Sequence, residues 1–167
     1  VPLAAASVDT GDTGDTAWLL AATAVVLLMT PGLALFYDGM VRTKSVLNML
    51  MMSFVSIALV TVVWLACGYS LAFGDDAFGG LIGGLDLAGM SGLGPDSVQG
   101  TVPTLLFATF QLTFAIITAA LISGAVADRA KFGAWIVFVP VWALGADGLA
   151  AAVFLDTLAA GCTGLVG

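Results

Sequence analysis

Two phenylalanines four residues apart, Phe110 and Phe114, and three aspartates in or beside apolar stretches, Asp38, Asp147 and Asp156, have the type and position to do chemistry. Residues four apart share a helix face. Two rings set one above the other in a membrane helix could close a narrow pore to water and ions by keeping it dry. Spacing alone weighs more toward packing against lipid or a neighbouring helix, because the chain scatters 10 phenylalanines along its length. Carboxylates at membrane depth are candidates for function. Asp156, in Phe154-Leu155-Asp156-Thr157, reads equally as a cap for a following helical turn and as a group orienting a site for a small cation. Asp147, between Ala146 and Gly148, reads more simply as an interfacial loop residue, and Asp38 lies at the end of the first apolar run. Gln111 suits hydrogen bonding between helices better than lining a path.

Other chemistries are excluded by what the chain lacks. With no histidine, it offers no imidazole base, proton relay or metal ligand. Cys67 and Cys162 are far apart and form no CxxC pair, so neither a metal site nor a thiol redox motif is indicated. Four basic residues cannot build the phosphate-binding patch that nucleic acids require. No cofactor or metal is expected, and without a nucleophile-base pair an enzyme is disfavoured.

The elements that must hold the candidate residues are membrane helices. Among 167 residues, 60% are hydrophobic and 9% charged, against about 25% charged in an ordinary soluble domain, and mean hydropathy is +1.12. About 20 helical residues cross a ~30 Å hydrocarbon core. Four spans meet that length: 17–37, interrupted by Pro31-Gly32, which can kink it; 45–73; 102–127; and 132–155, weakened by Asp147. The expected organisation is all-α: an extracytoplasmic tail at 1–16, a membrane domain at 17–155 and an altered segment at 156–167. The tail does not read as a signal peptide, since it has no basic region and three aspartates precede the apolar run. Residues 74–100, with nine glycines, Pro95 and four aspartates, have the composition of an irregular loop.

Lys and Arg are retained on the cytoplasmic side. Arg42 and Lys44 follow the first span, and Arg129 and Lys131 follow the third. Two crossings separate these turns, so both face the cytoplasm, while the N-terminus and the acidic 74–100 loop lie outside. Trp18 and Trp135, near span ends, suit the interfacial aromatic belt. From their start near Val102, Phe110 and Phe114 lie roughly 12 and 18 Å into the membrane.

Several stretches together resemble the ammonium transporter family (Amt/Mep/Rh). Met29-Thr30-Pro31-Gly32-Leu33-Ala34-Leu35-Phe36-Tyr37, with Gly39-Met40-Val41-Arg42 and Ser45-Val46-Leu47-Asn48, is similar to that family's first helix and its turn. Gly68-Tyr69-Ser70-Leu71-Ala72-Phe73-Gly74 resembles the end of the second helix. Phe110-Gln111-Leu112-Thr113-Phe114-Ala115-Ile116-Ile117-Thr118, on to Gly124-Ala125-Val126-Ala127-Asp128-Arg129, resembles the third. The resemblance implies a multi-pass cell-membrane protein with an extracytoplasmic N-terminus. It also implies a homotrimer whose protomers each hold a pore between two inverted five-helix repeats. Ammonium is recruited at an outer aromatic vestibule by cation–π contact and hydrogen bonding, and ammonium or ammonia then passes a hydrophobic pore. By the same resemblance, Phe110 and Phe114 correspond to the stacked phenylalanines that gate this pore. Asp156 corresponds to the aspartate that orients the recruitment site.

The sequence departs from the family pattern at two places. Asp38 stands where the Phe-Tyr-Gly-Gly turn has a glycine. After Trp142, the stretch carrying the vestibule tryptophan has no match, nor do the pore histidines; Val141-Trp142-Ala143 passes almost directly to Gly145-Ala146-Asp147. The expected function is ammonium or ammonia transport by a shortened or fragmentary transporter, not conducting alone. The alternative is a non-conducting membrane module that associates with full-length protomers.

Overall fold

The computed structural model describes residues 12–74, 84–94, 97–127 and 129–147. Helix α1 (Thr13–Asp38) opens on Asp12, whose carboxylate accepts the Gly14 N–H at 2.9 Å, and Asp15 lies in its first turn. A side-chain acceptor and a negative charge both stabilise a helix N-terminus, so the helix begins before residue 17 and takes in the end of the expected tail. It runs unbroken through Pro31.

The second span is one rod, Val46–Phe73, made of α2 (Val46–Val63), a π turn at Trp64–Gly68 and α3 (Tyr69–Phe73). Its 28 residues measure about 42 Å at 1.5 Å per residue, enough to cross and project beyond the hydrocarbon. A short hairpin, β1 (Val98–Gln99) with β2 (Val102–Pro103), turns at Gly100 with φ +66° and delivers the chain to α4 (Thr104–Ala125). Thus the 74–100 stretch is not wholly irregular. The last described helix, α5 (Phe132–Trp142), passes into a second π turn at Ala143–Asp147; the remainder of the expected 132–155 span lies outside the described residues. Among the described residues three helices are long and apolar enough to cross a membrane, and α5 is a shorter apolar one. The architecture is an all-α, multi-pass membrane bundle.

Within lipid, helices associate by close packing of small residues rather than by the hydrophobic effect. Helix α4 follows that rule: it packs against α1 and α2 through Ala108, Ala115, Ala119, Ala120 and Ser123, all buried. Most hydroxyls on these buried faces are satisfied locally: Ser56 donates to the Met52 carbonyl at 2.8 Å and Ser123 to the Ala120 carbonyl at 2.7 Å, whereas the buried Thr30 hydroxyl of α1 has no partner among the described residues.

Helix α5 is fastened to α2 by Trp135, only 2% exposed. Its indole N–H donates to the Met52 carbonyl at 3.1 Å and to Ser56 Oγ at 3.0 Å. This corrects the expectation of an interfacial tryptophan: the ring is buried because its one donor finds acceptors on α2. Trp18, by contrast, is 78% exposed.

Candidate functional site

Helix α4 carries the candidate pair. Phe110 and Phe114 meet with ring centroids 5.0 Å apart and planes at 82°, an edge-to-face contact rather than a parallel stack. Such a contact contributes about 0.5–1.5 kcal/mol beyond area burial. Phe110 is half-buried and Phe114 is 43% exposed. Each backbone carbonyl of the pair takes a threonine hydroxyl, Thr113 Oγ1 to Phe110 at 2.6 Å and Thr118 Oγ1 to Phe114 at 2.6 Å. Both hydroxyls are thereby turned onto the backbone, and the face around the rings presents mainly carbon. Leu121, also exposed and two turns on from Phe114, extends it. A surface of this kind repels water and bare ions while offering ring faces to a cation.

Three contacts set the rotation of α4 that leaves this face uncovered. Tyr37 of α1 reaches the Leu121 carbonyl with its hydroxyl at 3.3 Å. Ala108 and Ala119 are buried in the same core as Met52 and Val60 of α2. Phe107, one turn before Phe110, meets Phe73 edge to face at 5.5 Å and 77°. Phe73 belongs to an aromatic cluster with Tyr69, stacked at 5.2 Å, and Trp64, edge-on at 6.4 Å.

Two contacts order the ends of the bundle. Tyr37, near the end of α1, meets Gly124, near the end of α4, while Thr101 before α4 donates to Asp15 of α1 at 2.6 Å. Helices α1 and α4 are therefore parallel. The turns holding Arg42 and Lys44, and Arg129 and Lys131, fall at one end, with all four residues exposed.

The aspartates are not gathered with the phenylalanines. Asp38 is the last residue of α1, with one carboxylate oxygen buried and unpartnered among the described residues. Asp38 is itself helical and is not among the residues with positive φ, so its position demands no glycine and accepts aspartate without backbone strain. Asp147 ends the second π turn, and Asp156 lies outside the described residues. Gln111 is half-buried. Among the described residues no three His, Cys, Asp or Glu side chains group as metal ligands.

Sequence reasoning missed the cluster of Trp64, Tyr69, Phe73 and Phe107. Tyr69 and Phe73 have the same four-residue spacing that singled out Phe110 and Phe114, and that signal would have paired them. Their meeting with Phe107 spans two helices and leaves no mark in local spacing.

Known proteins resemble this chain in sequence and in overall fold. The sequence model of the Ammonium Transporter Family matches residues 17–166. An ammonium transporter of Mycobacterium tuberculosis (strain ATCC 25618 / H37Rv) is 54% identical over 151 residues, covering 79% of this chain and 31% of that protein. One of Bacillus subtilis (strain 168) is 50% identical over 132 residues, covering 78% and 32%. The crystal structure of Saccharomyces cerevisiae Mep2 superposes with a TM-score of 0.76 at 33% identity, over 87% of this chain and 33% of that one. That of Candida albicans Mep2 does so with 0.76 at 30%, over 86% and 32%. The chain spans about a third of the length of the curated relatives it matches. With four apolar helices in the family's order and the match running through nearly all of them, this chain belongs to the Ammonium Transporter Family.

Proposed function

We propose that these helices form one wall of a path for ammonium or ammonia across the cell membrane, with Phe110 and Phe114 of α4 as its dry constriction. The observation that carries this reading is the carbon-rich face of α4, with Phe114 43% exposed, in a chain matching the Ammonium Transporter Family over residues 17–166. Among the described residues that face has no partner, and a pore needs a second wall. The family match and the names of the relatives support ammonium as the cargo. Asp156 is proposed to orient the recruitment site. The basic turns are proposed to face the cytoplasm, the N-terminus to lie outside and three protomers to assemble.

The 167 residues by themselves are proposed not to conduct. They contain no histidine, and at most four spans cannot enclose a path on all sides. A polar group such as Gln111 left facing hydrocarbon would cost on the order of 1–3 kcal/mol. Reconstitution into liposomes tests this. Methylammonium uptake should match that of empty vesicles, and uptake above that level, abolished by Phe114→Ala, would overturn the proposal. If the chain instead binds full-length protomers without flux, the same exposed α4 face serves as an association surface.

A further inference from the structure

Beyond Phe73 the rod stops at Gly74, and residues 84–94 lie back against the π turn of Trp64–Gly68. The approach is close: a Cβ on Gly74 would sit 2.8 Å from the Gly84 carbonyl oxygen. One hydroxyl makes both hydrogen bonds across this contact. Ser70 Oγ donates to the Gly84 carbonyl at 2.6 Å and accepts the Leu87 N–H at 3.0 Å. Ser70 is itself fully buried. Leu87, Met90 and Leu93 then rest on the cluster containing Trp64, Tyr69 and Ala72.

Two features oppose this closed arrangement. Met90, which is not a glycine, has φ +57°, beside Gly89 at +68° and Gly92 at +88°. A left-handed backbone at a residue with a Cβ is unfavourable. Under this segment the Trp64 indole, 4% exposed, has a buried N–H without an acceptor among the described residues. A buried donor lacking an acceptor favours any conformation that lets water reach it. The Ser70 hydrogen bonds and three apolar side chains therefore hold down a segment whose own backbone, and the ring beneath it, favour release.

We infer that residues 84–94 are a latched strap, opening and closing over the Trp64–Tyr69–Phe73 cluster, with Ser70 as the latch. Because Phe73 meets Phe107 one turn before Phe110, opening also loosens a contact that sets the rotation of α4. This motion belongs to the chain itself and can be followed without any transport measurement.

The test places one cysteine on the strap, Leu93→Cys, in a Cys67→Ala, Cys162→Ala background, and follows its maleimide labelling rate in detergent micelles. Ser70→Ala should raise the rate about tenfold, equivalent to about 1.4 kcal/mol on the closing equilibrium. Gly89→Ala should raise it about fivefold. Nothing lies within 4 Å of a Cβ at residue 89, so this change strains the closed strap through its backbone and leaves the helices untouched. Ser53→Ala is the control: that serine is equally buried in the same rod, but donates to Met49 within its own helix, and the rate should not change. An unchanged rate in either strap variant that folds overturns the inference, as does an equal rise with Ser53→Ala, which would report loosening of the whole bundle. If Ser70→Ala does not fold, Gly89→Ala decides alone.

Discussion

Tyr37 occupies the space that a side chain at residue 124 would need: a Cβ built on Gly124 would lie 2.5 Å from the Tyr37 ring carbon Cζ and 2.8 Å from its hydroxyl. The absence of a side chain at 124 is what lets α1 and α4 approach, and it fixes which end of α1 meets which end of α4. Gly124→Ala should therefore destabilise the bundle by about 1–3 kcal/mol through overpacking, measured by denaturant unfolding in micelles. Combining it with Tyr37→Leu, which withdraws the ring, should recover part of that loss. Strict additivity of the two changes would refute the steric account.

Trp135 is the tie between α2 and α5. Trp135→Phe keeps an aromatic ring but removes the N–H shared by Met52 and Ser56. A loss of about 1–3 kcal/mol is expected, and Trp135→Ala should cost about 3–5 kcal/mol. If Phe at this position is as stable as Trp by thermal unfolding, the hydrogen bonds contribute nothing and burial alone places the ring.

Asp38 puts a negative charge at the end of α1, where the aligned peptide dipoles are also negative, and no basic residue stands in that turn. Asp38→Asn should stabilise the protein by about 0.5 kcal/mol, read as a small rise in midpoint temperature. A fall would mean that the carboxylate has a partner in the assembled protein.

The proposed orientation predicts the reach of a membrane-impermeant thiol reagent in sealed cells. With Cys67 and Cys162 replaced, Asp86→Cys should be labelled from outside, while Thr43→Cys and Ala130→Cys should not. Labelling at 43 and 130 with 86 protected would reverse the topology.

The role of the phenylalanine pair is best tested where a second wall exists. In a chimera carrying residues 13–125 in place of the matching helices of the Bacillus subtilis relative, Phe110→Ala should change water or ion exclusion more than folding. A variant that loses expression and thermal stability while keeping exclusion intact would reassign the pair to packing.

The existence of the helices was legible residue by residue. Hydropathy is close to a sum of independent transfer terms, and a run without charge such as 45–73 has few alternatives to a helix once in lipid, where every backbone group must be bonded within the segment. Helical period alone put Phe110 and Phe114 on one face, and two turns of like charge separated by two crossings had to share an end. What the sequence left open were matters settled by partners distant along the chain. Trp135 looked interfacial because a tryptophan near a span end usually is; it is buried because its donor meets acceptors 79 and 83 residues away. By spacing alone Phe114 looked more like a packing residue than a pore lining, and its exposure follows from Tyr37, Gly124 and Phe107 setting the rotation of α4. Ser70 was one small residue in an apolar run until the fold brought Gly84 and Leu87 to its hydroxyl. Local composition determines that a segment enters the membrane, whereas the face it turns inward depends on steric fit and hydrogen-bond partners that exist only once the helices have met.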